Sequence, residues 1–267
     1  MNSPIRPLDH RSGLQVTLAV WHALFIREIL SRLLTQRAAW FWLLVDPLAH
    51  VVFAMVLFST IRERNVSGVE FALFLAIGVM GFKQFTGTAL RSAQAVSANT
   101  ALLAYRQVLP VDTVLVRAVV EGLLLAFVTF VLLTGASLFG FHVLPDDPLK
   151  LIEAYGMLWL MGAGLGLILS VVNTLSPEVG KVVGLAFTPL YFLSGVLFSP
   201  VNIPPKFREV LLYNPIVHGL ELARSAFFPG YHLVEGVSAG YLAWWTAGAL
   251  LTGLVLQRRF EDRLGVR

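Results

Sequence analysis

Cysteine is absent from this 267-residue chain. Its absence excludes disulfides, thiolate metal sites and a cysteine nucleophile, and leaves the redox compartment unread. Charge is scarce. Asp, Glu, Lys and Arg make up 13% of residues, against roughly 25% in soluble domains. The deficit is gathered into segments, with 57% apolar residues and a mean hydropathy of +0.74. Several stretches are long enough to cross a bilayer unaided, so a membrane protein is expected rather than a greasy soluble core. No glycine-rich loop ends in Lys-Ser/Thr, which excludes ATP binding by that route. There is no His-Glu-x-x-His, and the six histidines are scattered at 10, 22, 50, 142, 218 and 232. No serine and histidine form a hydrolase motif. No internal repeat of the kind found in secondary transporters is visible. Met1 to Gly13 is polar, with Pro4 and Pro7, and no small-residue cleavage site follows a short apolar run. The expectation is an uncleaved amino terminus in the cytoplasm.

What is present is a series of apolar runs. Leu14 to Arg37 carries Trp21, Phe25, Ile29 and Leu33 at i,i+4 spacing, with Arg27, Ser31 and Thr35 on another side and Glu28 four residues before Arg32. This pattern predicts an amphipathic helix lying along the membrane surface. Six spans follow, near 38–61, 71–90, 113–139, 152–172, 182–198 and 236–257. Each approaches the roughly 20 apolar residues that a bilayer core requires. The first contains Asp46 and Pro47, and ends at Arg62, Glu63 and Arg64. A carboxylate at that depth faces protein or water rather than lipid. Asp46 is either a structural contact near the inner end of its span or part of a proton path. Lys83 interrupts the second span. The fourth holds Gly162 and Gly166, a G-x-x-x-G step that lets backbones approach closely. Between spans two and three, residues 92–107 read as a short cytosolic helical segment. Between spans five and six, residues 199–235 are broken by Pro200, Pro204 and Pro205 and read as a half-buried or re-entrant helix pair. Such backbone needs shelter at membrane depth.

With six spans and an inside amino terminus, the inner side holds thirteen of the 20 Lys and Arg residues and the outer side six, Lys83 lying within a span. That bias places both ends in the cytoplasm. The division expected is a cytosolic amino terminus and interface helix over 1–37, a transmembrane domain over 38–257, and a cytosolic tail over 258–267. The 19 Phe, 6 Trp and 6 Tyr allow two uses. One is an interfacial belt and core. The other is a ring-lined path on which sugar C–H faces pack, with Trp40, Phe41, Trp42, Trp159, Tyr191, Phe192 and Phe198 as candidates.

Three stretches are distinctive: FIREILSRLLTQRAAWFWLLVDPLAH, SANTALLAYRQVLPVDTVLVRAVVE, and PLYFLSGVLFSPVNIPPKFREVLLYNPIVHGLELARSAFF. Their Arg-Glu and basic run, aromatic cluster, Asp-Pro, Pro-Pro, Asn-Pro-x-x-His and Glu-x-x-Arg resemble the ABC-2-type permeases. Within these, the chain is similar to those that export capsular polysaccharide across the bacterial inner membrane. The resemblance covers nearly the whole chain. It implies an all-α fold of six transmembrane helices with an amphipathic interface helix and external re-entrant helices. It also implies a half-transporter that pairs with a second copy and recruits two copies of a separate ABC ATPase. ATP and Mg then belong to that partner, and this chain holds no cofactor and no catalytic site. Asn99, Leu102, Leu103, Tyr105 and Arg106 are placed by the resemblance at the ATPase contact. Glu28 and Arg32 are placed at the cytosolic interface. The implied cargo is a lipid-linked acidic polysaccharide, passed on to periplasmic and outer-membrane partners. Arginines at entrance and exit suit an acidic chain, and Arg27, Arg32, Arg91, Arg208 and Arg224 are the candidates. A solvated or positive-inside role serves the first three equally well. O-antigen, teichoic acid or a small hydrophobic molecule are alternative cargoes. A membrane-embedded glycosyltransferase or acyltransferase is a remote alternative, for which Asp112 with Arg106 on short cytosolic loops is a thin basis.

Overall fold

A computed structural model describes residues 12–34, 39–59, 65–66 and 69–265. Residues 1–11, Thr35, Arg37 and the Arg62, Glu63 and Arg64 exit lie outside the described residues. In chain order the elements are α1 (Gly13–Leu34), α2 (Ala39–Ser59), a two-residue antiparallel ladder of β1 (Asn65–Val66) and β2 (Val69–Glu70), α3 (Phe71–Ala93), α4 (Ala95–Ala98), α5 (Pro110–Leu138), α6 (Pro148–Leu175), α7 (Pro177–Leu193), a 3-10 turn (Pro200–Asn202), α8 (Pro205–Leu211), α9 (Pro215–Phe227), α10 (Ala239–Arg259) and α11 (Glu261–Leu264). The protein is all-α apart from that ladder among the described residues.

Five helices there are long and apolar enough to cross a membrane: Gly13–Arg32, Phe71–Ala93, Pro110–Leu138, Pro148–Leu175 and Ala239–Arg259. This is a different set from the six expected. It includes α1, because Leu14, Leu18, Ile26 and Leu30 add a second, exposed apolar side to the predicted stripe. It leaves out α2, whose apolar stretch among the described residues is Leu44–Phe53, and α7, which has 17 residues.

Proline marks the starts. Pro110, Pro148, Pro177, Pro205 and Pro215 each occupy the first turn of a helix, where a missing N–H costs nothing. Side-chain caps reinforce three starts. Asp147 accepts from the Lys150 backbone N–H (3.1 Å), Asn214 from that of Ile216 (3.0 Å) and Ser238 from that of Tyr241 (3.3 Å). Asp147 with Pro148, and Pro177 alone, explain why α6 and α7 begin earlier than their apolar runs do. Residues 92–107 do not form one continuous helix. α3 runs through Ala93, α4 lasts four residues, and Asn99 to Val108 is a chain of single turns such as Leu102 N–H to Asn99 O (2.8 Å) and Val108 N–H to Tyr105 O (3.0 Å).

α3 and α6 form the centre. Helix association in lipid depends on close backbone approach, and α6 offers small residues on two sides. A side chain at Gly162 would meet the backbone carbonyl of Phe85 on α3, and one at Gly166 would meet Ser92 and the Ala89 carbonyl. One at Gly164 would meet the backbone of Ala249 and Leu250 on α10. Gly253 of α10 returns the contact by seating against Leu167 and the Gly164 carbonyl. The G-x-x-x-G step therefore faces α3, and the glycine between its two members faces α10. Leu158, Leu167, Leu220 and Leu242 are wholly buried around this seam.

Candidate functional site

Three polar regions are built on this frame. The first lies where α1 meets the α3–α5 connection. The α1 stripe of Trp21, Leu24, Phe25 and Ile29 seats against Val116 and Val120 of α5. Trp21 Nε1 donates to Asp112 Oδ1 (2.8 Å), whose other oxygen accepts from the Leu109 backbone N–H (3.0 Å) and so fixes the start of α5. Arg27 Nη1 donates to Asn99 Oδ1 (2.7 Å), and Asn99 Nδ2 donates to the Ala95 carbonyl (2.7 Å). Glu28 pairs with Arg32 (3.2 Å) and Arg117 (2.9 Å). Glu121 pairs with Arg32 (3.2 Å) and Arg91 (4.0 Å). Both carboxylates are buried, and buried charge is tolerated only when paired.

This arrangement joins two groups of residues that the sequence analysis kept apart. Arg27, predicted for the substrate path, holds Asn99 of the segment predicted for the ATPase contact, while Arg32, also predicted for the path, ties α1 to Glu121 of α5. Within that segment Asn99 and Leu103 are buried, and Leu103 sits with Val114, Val171 and Leu264. Leu102 is half-buried. Tyr105 is 65% exposed, and Arg106 is also exposed. Of the five residues predicted for the ATPase contact, Tyr105 and Arg106 are the two that are exposed. Glu121 and Arg117 were not picked out as part of a site. Their spacing on one helix was visible in the sequence, but their partners on α1 were not.

The second region is a groove of about 470 Å³ among α2, α3 and α7. Tyr191 is its centre. Its hydroxyl is 2.8 Å from His50 Nε2, and its ring meets those of His50, Phe82 and Phe192 at 5.1, 5.2 and 5.5 Å. Phe53, Phe187, Thr86 and Thr188 complete the walls. Beside it, Lys83 of α3 pairs with Asp46 of α2. Phe41 and Trp42 form an edge-on pair on α2, both exposed (centroids 5.7 Å). The Trp40 side chain lies outside the described side chains. Trp159 is elsewhere. Its indole donates to the Ala118 carbonyl (2.8 Å) and lines a separate apolar cleft of about 480 Å³ among α3, α5 and α6. The structure thus brings Tyr191 and Phe192 together and leaves Trp159 apart from them. His50, Phe53, Phe82 and Phe187 were not singled out for this groove, because isolated aromatics in an apolar run carry no signal of a shared wall.

The third region lies between α7 and α10. Arg224 of α9 is wholly buried. Its guanidinium donates to the carbonyls of Gly195 (2.9 Å) and Val196 (2.8 Å) and to Glu221 (3.0 Å), and stacks 3.7 Å above the Phe74 ring. Tyr231 donates to Glu221 (3.0 Å), and its oxygen accepts from the Ser199 hydroxyl (3.2 Å). Burial first, then the Glu221 carboxylate, push the Tyr231 phenol up, so it remains a donor. Gly195 holds φ at +68°, a left-handed turn that favours glycine and presents its carbonyl to Arg224. Gly78 leaves the space that the guanidinium occupies. Arg208 donates to the carbonyls of Val201 (2.9 Å) and Ile203 (3.1 Å) and holds the 3-10 turn. His218 is pinned at both nitrogens. Nε2 is 2.7 Å from the Leu212 carbonyl, and Nδ1 accepts from the Ser238 N–H (2.9 Å). That pattern defines the neutral Nε2–H tautomer. Nearby, its hydrogen bond to Lys150 holds Asp147 below the usual carboxylate range.

Among the described residues no group of three or more His, Cys, Asp or Glu side chains is placed to hold a metal ion. The class that emerges is a multi-pass membrane protein with a charged cluster joining α1 to α5, a ring-lined groove among α2, α3 and α7, and a braced segment between α7 and α10. Residues 19–228 match the ABC-2 type transporter family. The chain is 36% identical to the polysialic acid transport protein KpsM of Escherichia coli over 95% of its own length and 98% of that protein's. It is 28% identical to the capsule polysaccharide export inner-membrane protein BexB of Haemophilus influenzae over 94% of each. It is 26% identical to CtrC of Neisseria meningitidis serogroup B, a capsule polysaccharide export inner-membrane protein, over 94% of this chain and 96% of that one. The chain belongs to the ABC-2 type transporter family. It is an inner-membrane transport permease, not an enzyme, and its family identity implies an ABC exporter complex.

Proposed function

We propose that this chain is the permease half of an ATP-driven exporter that carries lipid-linked capsular polysaccharide across the inner membrane. The observation that carries the reading is near full-length similarity to a polysialic acid transport protein. The groove around Tyr191 supports it, because rings, hydroxyls and an ion pair suit a hydrated sugar chain better than an apolar drug-like molecule. In this reading two copies form the path, and two copies of a separate ATPase supply ATP and Mg. Tyr105 and Arg106 touch the ATPase, while Asn99, Leu102 and Leu103 shape the segment beneath them. The α1 helix lies at the cytosolic interface, and its ties to Asn99 and Asp112 carry motion from that contact into α5. Six spans are then α2, α3, α5, α6, α7 and α10, with both termini cytoplasmic. α8 and α9 form the external re-entrant pair. Arg208 and Arg224 brace that pair, and Arg91, with Phe41, Trp42, Tyr191 and Phe192, is the path residue available to polymer. Trp159 anchors α6 to α5. Periplasmic and outer-membrane partners receive the polymer.

The test is made in capsule-producing cells that lack this chain. Polymer should accumulate inside, and return to the surface when the chain is restored together with an intact ATPase. Normal surface polymer without the chain would overturn the reading.

A further inference from the structure

The ion pair of Lys83 and Asp46 is unequal. Its ammonium is 25% exposed and its carboxylate 70% exposed. Both lie well inside their helices. Asp46 is seven residues into α2, about 10 Å from its start, and Lys83 is ten residues before the end of α3, about 15 Å from it. A charge exposed at that depth cannot face hydrocarbon and must meet water or protein. The adjoining groove carries His50, Tyr191, Thr86 and Thr188 among otherwise apolar walls. On the export reading, the α2–α3–α7 face is the one that meets water.

The inequality also decides which partner can leave. Asp46 swings into water at little cost, since an exposed carboxylate is already mostly hydrated. Lys83 is the more enclosed partner and carries three donors. It needs an anion wherever Asp46 goes. The groove next to the pair holds the rings of Phe82, Tyr191 and Phe192, packed edge to face, which offer apolar walls to the C–H faces of sugars. An incoming carboxylate fits the position Asp46 vacates, and the sugar ring that bears it reaches the aromatic wall.

We propose that Lys83 is a binding site for the carboxylates of an acidic sugar polymer, and that Asp46 is the intrinsic anion displaced from it as each acidic sugar arrives. This rests on the polysaccharide-export reading and adds the residue that meets the acidic group and the exchange step. Because the arriving carboxylate replaces a partly exposed one, the exchange returns only about the lower end of a charge-assisted hydrogen bond, and the polymer is recognised without a deep well that would stop its movement.

The test uses the intact membrane complex purified from polymer-producing cells. The probes are a sialic acid oligomer and the same oligomer with its carboxyls reduced to alcohols. Wild-type complex should bind the acidic oligomer about tenfold more tightly than the reduced one, the scale of one charge-assisted hydrogen bond. Lys83→Gln should erase that preference, Lys83→Arg should keep most of it, and Asp46→Asn should bind the acidic oligomer at least as well as wild type. A pair that only braces α2 against α3 predicts the same loss for Lys83→Gln and Asp46→Asn, and that symmetry would overturn the proposal. So would equal binding of both oligomers by wild type. Wild-type complex that binds neither oligomer, from cells whose surface polymer does not depend on the chain, sinks the export reading itself.

Discussion

Arg224 gives the sharpest test of how the segment between α7 and α10 is held. Replacing it with Met keeps most of the side-chain volume and removes the guanidinium. Glu221, wholly buried three residues earlier, then keeps Tyr231 as a donor but loses its countercharge. The Gly195 and Val196 carbonyls lose their donors as well. Breaking a buried pair by removing one partner costs about 3–5 kcal/mol. For a chain of this size each kcal/mol is worth about 2–4 °C, so the unfolding midpoint of the purified protein should fall by roughly 10 °C. Arg224→Lys should lose a large part of the same stability, because a point charge cannot serve two carbonyls and a carboxylate while stacking on Phe74. The deciding variant is Arg224→Met combined with Glu221→Gln. With no charge left unpaired, it should unfold at a higher temperature than Arg224→Met alone. The assay is intrinsic fluorescence against temperature in detergent. A double variant that is worse than Arg224→Met by the full cost of Glu221→Gln alone would refute the account, since the two residues would then act independently.

Other outcomes follow from the same coordinates. Gly162→Val should drive α6 away from the Phe85 carbonyl and abolish recovery of monodisperse protein, whereas Gly156→Ala, which meets open space, should be recovered as wild type. His218→Ala removes both pins between α8, α9 and the start of α10; a loss of about 1–3 kcal/mol is expected, read as a lower unfolding midpoint. Because the chain has no cysteine, single cysteines report water directly. Thr188→Cys, in the groove, should react with a charged, membrane-impermeant thiol reagent, while Val255→Cys, exposed on α10, should not. Equal labelling of the two would mean that the α2–α3–α7 face is no wetter than the lipid-facing surface.

The sequence was most legible where composition and punctuation agree. Long apolar runs with few charges located α3, α5, α6 and α10 to within a few residues, and the prolines of Asp147-Pro148 and Ser176-Pro177 could have set the starts of α6 and α7 more closely than hydropathy did. The segment 199–235 was legible as an interrupted helix pair because Pro204-Pro205 and Asn214-Pro215 each begin a helix. α1 was harder to assign. Its stripe onto α5 is present, but a second apolar side at Leu14, Leu18, Ile26 and Leu30 gives it the length and apolarity of a span. Partnerships were not legible. Arg27 and Asn99 lie 72 residues apart, Lys83 and Asp46 37, and His50 and Tyr191 141. No periodicity within one helix encodes which helix it will face. The arginines were conspicuous as charges, yet the structure uses Arg208 and Arg224 to hold backbone carbonyls, a role that depends on burial and cannot be read from spacing.

The most direct test of the central claim is transport in inverted membrane vesicles that contain this chain and its ATPase. Lipid-linked acidic polysaccharide is supplied outside with ATP, and the fraction that becomes protected from an added glycan-degrading enzyme is measured. ATP-dependent protection that vanishes when the chain is omitted is the predicted result. Polymer that stays fully accessible, in vesicles whose ATPase is active and bound to the chain, would contradict polysaccharide export by this permease.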